Sequence, residues 1–461
     1  MSDNKISRKD FLSYSALLGA ASLIGSSSVL SSCSGKGAAN TPLRKPEEYY
    51  VPELPDKAID GRELKVGIIG CGSRGGGALR NALRAANGIK IWAMGDVFPD
   101  KIQATRERLL KEWNQDVPEE RCFIGFDAYK KVIDSGIDYL ICTTPPIFRP
   151  QQFKYATEKG VHTFLEKPIA IDPVGYRSVM ATAKLAKAKG LVVVTGTQRH
   201  HQRRYVEAFK RIQEGMIGQI TGGNVYWNQG LYSAVRRREG WSDTEWMLRD
   251  WFNWRWLAGD HIIEQHVHNI DVFLWFSGLK PVKATAFGAR HRRPNGNHYD
   301  MFSVDFEMEN GIHMHSMSRQ IDGCSSNIGE YIQGTKGSWN SYEHAIKDLD
   351  GNILWQFDRK AEEETYKMLS PYTLEHVDLI NHIRKGESHV EAEETAISCM
   401  AGIMGREAAY TGATVTWDEM TQSSLDLMPE KVALGPMDLS QAVPVPGKDP
   451  DFKKLEQKKR Y

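Results

Sequence analysis

Three side chains in this sequence have the chemistry needed to exchange a proton with a hydroxyl group. Lys167 directly follows Glu166 at the end of a short apolar stretch, and a partly desolvated lysine can take up and release a proton near neutral pH. Glu264 and His268 lie four residues apart further along the chain, and imidazole is the usual acid or base at neutral pH. We predict that Lys167, Glu264 and His268 are catalytic. The alternative for Lys167 is a surface lysine paired with Glu166.

The segment around His268 is rich in histidine and acidic residues. If it forms one helix, Glu264, His268 and Asp271 share a face, because side chains three or four residues apart are neighbours. We predict that Asp271 contacts substrate; orienting His268 and capping the fold are alternatives. His261 and His266 would add nitrogen ligands that Zn or Mn accept together with glutamate. However, His266 and His268 point to different sides of a helix, and we predict no metal.

A glycine-rich turn follows the apolar stretch 64–69, with the sequence Gly70-Cys71-Gly72-Ser73-Arg74-Gly75. Gly70 would permit a tight turn, Gly72 would let backbone N–H groups approach a pyrophosphate, and Gly75 would allow close packing of the next helix. The negative diphosphate would lie at the positive end of that helix. We predict a dinucleotide held by Gly70, Gly72, Ser73, Arg74 and Gly75. A turn that serves only packing is the alternative.

Asp96 closes the next strand-like stretch, 89–95. A carboxylate at this distance from the turn suits hydrogen bonds from the ribose hydroxyls and repels an additional 2′-phosphate. The expected cofactor is therefore NAD. NADP is the less favoured alternative, because Arg74 lies beside the turn.

Regular alternation of strand and helix surrounds these motifs. Apolar runs predict strands at 64–69, 89–95, 121–124, 138–143, 161–165 and 191–195, with helices at 75–86, 99–113, 126–134, 150–159 and 173–188. This rhythm predicts a doubly wound parallel sheet, an α/β Rossmann domain, over 61–198.

The order of predicted strands and helices changes after residue 198. A helix at about 202–214 precedes strands at about 220–227, 282–289, 300–308, 312–318, 328–334 and 337–341, and helices follow at about 371–385 and 393–410. Short turns between successive strands predict a large, mostly antiparallel open sheet. We predict an α+β substrate-binding domain over 199–430 and a surface tail over 431–461.

The first 33 residues predict an export signal, and 34–60 a linker. Arg8 and Lys9 precede an apolar run at 16–24 that is too short to span a bilayer. The segment resembles a twin-arginine signal in which Lys9 replaces the second arginine, so ordinary secretion stays open. Cys33 ends a lipoprotein-like processing box, which predicts a lipid anchor and a periplasmic or membrane-anchored protein; a simply cleaved or uncleaved leader is the alternative. A net charge of +1 favours no nucleic-acid partner.

Several spaced motifs resemble the Gfo/Idh/MocA oxidoreductases over about residues 62–415. They are Thr144-Pro145-Pro146, Glu166-Lys167-Pro168 and the histidine segment. The resemblance implies that Lys167 faces substrate and that relatives assemble as homo-oligomers. It also implies nicotinamide contacts from Thr144, Pro145, Glu166 and Pro168.

Three positions depart from the family pattern. Glu264 stands where relatives usually have aspartate, His266 where many have glycine, and Arg149 where many have histidine. These departures leave the shape of the substrate pocket open.

Arg199 and His200 follow the strand-like stretch 191–195 and would bond sugar hydroxyls; a solvated boundary loop is the alternative. Tyr226 would face the same pocket. We predict an NAD-dependent oxidoreductase for a ring hydroxyl of a sugar or glycoside, with tightly bound, internally recycled cofactor. One alternative is an NAD-dependent glycosidase that works by transient oxidation and elimination. The other is a non-catalytic sugar-binding lipoprotein.

Overall fold

The computed structural model describes residues 43–439 and 442–447. The predicted export signal, with Cys33, lies outside these residues, as do the first part of the predicted linker and the end of the predicted tail. Within the described ranges, none of the helices combines the length and the apolar character that crossing a bilayer requires.

Strands occur throughout the described chain. The first six are β1 (Leu64–Ile69), β2 (Ile89–Asp96), β3 (Cys122–Ile124), β4 (Tyr139–Cys142), β5 (His162–Leu165) and β6 (Val192–Thr195). The others are β7 (Ile220–Gln229), β8 (Pro281–Ala289), β9 (Met301–Met308), β10 (His313–Gln320), β11 (Asn327–Gly334), β12 (Gly337–Asn340), β13 (Ala345–Asp348), β14 (Ile353–Gln356), β15 (His389–Val390) and β16 (Val415–Thr416).

Helices alternate with the early strands and cluster again near the end. The first six are α1 (Ser73–Ala85), α2 (Pro99–Trp113), α3 (Ala128–Asp134), α4 (Arg149–Glu158), α5 (Pro173–Ala188) and α6 (Arg203–Gln213). The others are α7 (Asp243–Arg249), α8 (Arg255–Ala258), α9 (His261–Glu264), α10 (Val267–Ser277), α11 (Arg359–Thr365), α12 (Pro371–Lys385), α13 (Ala392–Thr411) and α14 (Trp417–Gln422).

The first sheet is parallel throughout, in the order β15-β6-β5-β4-β1-β2-β3. Strand β1 is buried along almost its whole length, as expected for a central parallel strand covered by helices on both faces. Because β2 and β4 flank β1 on opposite sides, the crossovers diverge there and leave a crevice at the carboxyl ends of β1 and β4.

The second sheet has the order β14-β13-β12-β11-β7-β10-β9-β8-β16. All neighbouring strands are antiparallel except β7 and β10. One face packs on α10 and α13, and there Phe273 lies so close to Gly223 that a Cβ on the glycine would meet it at 2.6 Å. The opposite face leaves Phe287 74% exposed. This face is open over its described residues.

The fold class is confirmed, and the predicted strands and helices of the first half have observed bounds within two residues. One segment lies elsewhere than predicted. Although 371–390 falls in the predicted second domain, α12 packs on α1 and β15 extends the parallel sheet. The pairing of β15 with β6 involves two residues only, which is too short for an alternating pattern to reveal.

The segment around His268 does not form one continuous helix. Helix α9 ends at Glu264, and α10 begins at Val267 after a break at Gln265 and His266. Asp260, at φ 85°, caps α9 by accepting a hydrogen bond from the His261 backbone N–H at 2.6 Å. Glu264, His268 and Asp271 therefore do not lie on one helix face.

Candidate active site

A cleft of about 890 Å³ lies at the carboxyl ends of β1 and β4. Its floor includes the glycine turn and the loops after β4 and β5. Its roof comes from the second half of the chain, including Glu264 and His268. The cleft therefore joins the two groups of residues that the sequence singled out separately.

The glycine turn has the shape that a pyrophosphate requires. Gly70 has φ +85°, and a Cβ added to Gly75 would lie 1.9 Å from the Gly70 carbonyl oxygen. A Cβ on Gly72, in contrast, would meet nothing within 4 Å, so the turn has open space on the cleft side. Gly72 is the N-cap of α1 and offers no side-chain cap. The first N–H groups of this helix are therefore available to an anion.

Asp96 lies against the glycine turn. One carboxylate oxygen accepts from the Cys71 N–H at 2.6 Å and the other from the Phe98 N–H at 2.9 Å. Burial raises the pKa of Asp96 despite these bonds. Each oxygen keeps a second lone pair, and Asp96 lines the cleft, so the carboxylate can accept from a ribose diol.

Arg74 points away from Asp96. Its guanidinium donates to Glu166 and lies 3.8 Å from Glu375, while the Tyr372 ring packs against it at 5.2 Å. The Arg74 guanidinium is therefore paired with the carboxylates of Glu166 and Glu375, away from the ribose end of the cleft. The ribose end fits NAD and lacks this arginine as a partner for a 2′-phosphate.

Lys167 is buried, with 8% exposure, and pairs with Glu264 rather than with Glu166. Its ammonium group donates to the Glu264 backbone carbonyl and lies 3.1 Å from the Glu264 Oε1 atom. The Gln265 amide donates to Oε2 at 2.6 Å. Burial raises the pKa of Glu264, and the adjacent Lys167 ammonium opposes that rise. The surface-lysine alternative is wrong.

His268 faces the cleft without a hydrogen-bond partner among the described residues. Its ring stacks on Trp227 with centroids 5.7 Å apart. Burial, and then the positive charges of Lys167 and Arg199, lower the pKa of His268 well below 6.5. The imidazole is therefore neutral at pH 7 and can accept a proton.

Arg149 ties the cleft floor together. Its guanidinium donates to the carbonyls of Thr144, Glu166 and Pro168 at 2.8, 3.1 and 2.9 Å. Because these bonds use the loops after β4 and β5, Arg149 fixes both loops. Thr144 and Pro145 line the cleft, whereas Pro168 does not. Pro168 instead follows a cis peptide bond behind Lys167.

The four residues predicted to bind substrate do not line the cleft. Arg199 donates to Asn269 at 3.1 Å and pairs with Glu330, while His200 stacks on Trp275 and bonds Asp271 at 2.7 Å. Asp271 also accepts a hydrogen bond from the Ser398 hydroxyl. These interactions hold the three side chains inside the fold.

Tyr226 lies on the wrong face of its strand for substrate contact. It is in register with the exposed Met317, whereas Trp227 is in register with the buried Ser318. Because successive side chains of a strand alternate between faces, Trp227 lies beside His268 and Tyr226 lies on the open face. Tyr226 therefore does not face the cleft.

His261 and His266, considered above as metal ligands, do not line the cleft. His261 bonds Ser318 at 3.2 Å and His266 bonds Ser316 at 2.7 Å. Both rings connect the segment around Glu264 to strand β10.

Part of the roof was not among the predicted site residues. Tyr232, Trp251 and Phe252 line the cleft, with ring centroids 4.8 Å apart in the Tyr232–Phe252 pair and 4.0 Å in the Trp251–Phe252 pair. Arg249 also lines the cleft and donates to Asp100 at 2.9 and 3.1 Å. The high frequency of aromatic residues in this part of the sequence could have indicated these rings. It does not distinguish them from the buried Trp254 and Trp256.

The fold and the site define an NAD-binding oxidoreductase. A model of the oxidoreductase family with an NAD-binding Rossmann fold matches residues 64–197, and one of the GFO/IDH/MocA C-terminal domain matches 205–340. Together they cover more than half of the sequence. The chain belongs to the Gfo/Idh/MocA family.

Individual relatives are distant. The scyllo-inositol 2-dehydrogenase (NAD(+)) of Bacillus subtilis is 22% identical over 369 residues, which are 77% of this chain and 97% of that protein. A glycosyl hydrolase family 109 protein of Porphyromonas gingivalis is 32% identical over 133 residues, 28% of this chain and 27% of its own length. The crystal structure of an aldose-aldose oxidoreductase from Caulobacter crescentus, complexed with glycerol, has TM-score 0.61 and 17% identity, covering 77% of this chain and all of that one. This last likeness is one of fold.

Proposed function

We propose that the protein is an NAD-dependent oxidoreductase that acts on a ring hydroxyl of a sugar or glycoside. One observation carries the proposal: the neutral, unpartnered imidazole of His268 faces the same cleft as the buried Lys167–Glu264 pair. Bound NAD would take hydride from the carbinol carbon or return it.

His268 would accept the hydroxyl proton, because its lone pair is free at neutral pH. Lys167 would donate a hydrogen bond to the same oxygen and stabilise the negative charge that develops there. Glu264 would hold the ammonium group in place through the contact at 3.1 Å. The rings of Tyr232, Trp251 and Phe252 would pack on the C–H surface of the sugar and exclude water.

Retention of the cofactor within each catalytic cycle is part of the proposal. Arg249 and Phe98 line the cleft, where the Arg249 guanidinium pairs with Asp100 and lies 4.0 Å from the centre of the Phe98 ring. Both contacts would slow cofactor exchange. The fold is shared with a protein named for two aldoses, and a second sugar would return the hydride here.

The test uses purified full-length protein and a panel of inositols, methyl glycosides and nitrophenyl glycosides. Absorbance of reduced nicotinamide and mass spectrometry of the sugar product are recorded. A keto-sugar supports the proposal. If a chain with bound NAD gives neither signal with any substrate, the proposal is overturned in favour of a non-catalytic sugar-binding protein.

A glycosidase is the second candidate. The match to a glycosyl hydrolase family 109 protein, 32% identical over 133 residues, supports it. Transient oxidation would acidify the neighbouring C–H bond, and the leaving group would then be eliminated. Release of nitrophenol that requires bound NAD would favour this candidate over simple oxidation.

We further propose that the protein is exported, carries a lipid on Cys33 and forms homo-oligomers through the open face of the second sheet. The lipoprotein-like box supports the anchor, and the exposed Phe287 and Met317 support the oligomer. Membrane fractionation of wild type and Cys33→Ser tests the anchor. Light scattering of a soluble chain with Phe287→Glu tests the oligomer.

A further inference from the structure

A second cluster of titratable side chains lies where α12, β15 and the turn after β6 meet. Its members are His201, Asp378, His382, His389 and Glu391. None of them lines the cleft, and the proposed oxidation uses none of them. They come from three separate parts of the chain.

The innermost three side chains converge on one point. His201 Nε2 lies 3.0 Å from Asp378 Oδ2 and 3.6 Å from Glu391 Oε1. Ligands around a tetrahedral Zn²⁺ with bonds of about 2.1 Å are separated by about 3.4 Å. The observed separations bracket that value.

His389 extends the cluster toward the surface. Its Nε2 atom lies 3.3 Å from Glu391 Oε1, the oxygen that faces His201. Asp378, His382 and His389 form a second group with ligand atoms within 4.8 Å of one another. Asp378 therefore belongs to both groups, and His389 contacts the inner group through Glu391.

Both carboxylates are oriented by hydrogen bonds to their outer oxygens. The Thr195 backbone N–H and hydroxyl donate to Glu391 Oε2 at 2.7 and 3.1 Å, and the Tyr50 hydroxyl donates to Asp378 Oδ1 at 2.7 Å. The remaining oxygens, Glu391 Oε1 and Asp378 Oδ2, face His201. Supporting bonds of this kind are typical of metal sites.

The charges also require a partner. Asp378 and Glu391 are buried, and among the described residues no lysine or arginine lies within 4 Å of either carboxylate. Their ion-pair partners are His201, His382 and His389. Buried carboxylates are stable when paired or bound to metal, and a divalent cation would balance both charges with the imidazoles neutral.

We propose that this cluster binds one divalent transition-metal ion, with Zn²⁺ as the best match to its mixed nitrogen and oxygen donors. His201, Asp378 and Glu391 supply three ligands, and His389 supports Glu391 through the contact at 3.3 Å. The ion stabilises the fold, because it joins α12 and β15 to the turn that contains His201. Gln198 in that same turn lines the cleft, so the ion also supports one wall of the active site.

The test measures metal in the purified full chain by mass spectrometry. The protein is then stripped with a chelator and titrated with ZnCl₂ while thermal unfolding is followed. We expect about one Zn per chain and a Tm that rises with added Zn²⁺. His389→Ala, on the more exposed side of the site, lowers Zn affinity at least tenfold. Glu391→Gln does so as well.

His313→Ala is the matched control, because His313 also bonds a carboxylate, Asp305 at 2.9 Å, but lies exposed on the open sheet. This variant keeps the bound Zn and its effect on Tm. A chain without bound metal whose Tm ignores added Zn²⁺, Mn²⁺ and Co²⁺ would overturn the proposal. Equal loss of Zn in His389→Ala and His313→Ala would do the same.

Discussion

The two ends of the cleft bind by different physical means. At the ribose end, backbone N–H groups and glycines form the surface, and Asp96 is held by two backbone bonds. At the other end, ionisable side chains face one another: the buried Lys167 with Glu264, and the half-buried Arg74 with Glu166. Binding at the ribose end depends on shape, and binding at the other end depends on charge.

This difference indicates which substitutions act on binding and which act on chemistry. A change of shape at the glycine turn removes the space that the dinucleotide needs. A change of charge around His268 leaves that space intact and alters proton transfer. Each substitution below tests this division.

Gly75→Ala should have the largest effect. The new Cβ would lie 1.9 Å from the Gly70 carbonyl oxygen, so the turn and α1 must separate, and bound NAD is lost. Mass spectrometry of the dinucleotide released on denaturation measures this loss. Gly76→Ala is the control, because its Cβ meets nothing closer than 3.5 Å. Stoichiometric NAD in Gly75→Ala would contradict the account.

His268→Gln should lower kcat about 10²- to 10⁴-fold, the usual contribution of a general base. NAD content should stay unchanged, since this residue lies at the other end of the cleft from the glycine turn. The measurement is kcat on the substrate found in the panel, beside the dinucleotide content. A fall in NAD content equal to the fall in rate would place His268 in binding instead.

Lys167→Met should destabilise the fold by about 3–5 kcal/mol, because it leaves the buried Glu264 carboxylate unpaired. The double variant Lys167→Met/Glu264→Gln should recover much of this stability and remain inactive. Chemical denaturation and kcat separate the two effects. Full activity in the double variant would show that the ion pair has no part in catalysis.

The pH dependence follows from the neutral state of His268. A base with a pKa well below 6.5 keeps its free lone pair as the pH falls from 8 to 6.5. The kcat/KM of the enzyme should therefore stay constant over this range. It should fall about tenfold per pH unit only below the lowered pKa of His268. NAD content at pH 6 should equal that at pH 8. An acid limb centred above pH 6.5 would assign the base to another group.

Arg249→Ala should have the smallest effect. Asp100 is more than half exposed, and such bridges contribute up to about 1 kcal/mol, so release of NAD should accelerate about fivefold at most. Exchange of bound NAD for labelled NAD measures the rate. Arg106→Ala, which breaks the exposed pair with Asp116, is the control and should leave the rate unchanged.

The sequence predicted most of the parallel sheet because each motif there is local. Gly70 to Gly75 and Lys167 directly follow their strands, so the carboxyl edge of the sheet brings them together. His268 was predicted as a site residue and lines the cleft, but the break after Glu264 was not predicted, since no proline interrupts the pattern. Tyr226 was misplaced because alternation does not state which face is covered.

The histidine and carboxylate cluster has no sequence signature. His201, Asp378 and His389 lie far apart in the chain and meet only because β15 returns to the first sheet. The aromatic roof was hidden for a similar reason. Trp251 and Trp254 are three residues apart, yet only the first lines the cleft.

The most direct test of the central claim follows one hydrogen atom. The purified chain with its bound NAD is mixed with one equivalent of a sugar or glycoside deuterated at the ring carbinol carbons, without a second sugar to accept hydride, and the nicotinamide is analysed after this first oxidation step. The account predicts deuterium on the nicotinamide ring in the wild type and almost none in His268→Gln over the same time. Turnover of the sugar without deuterium on the ring would contradict it.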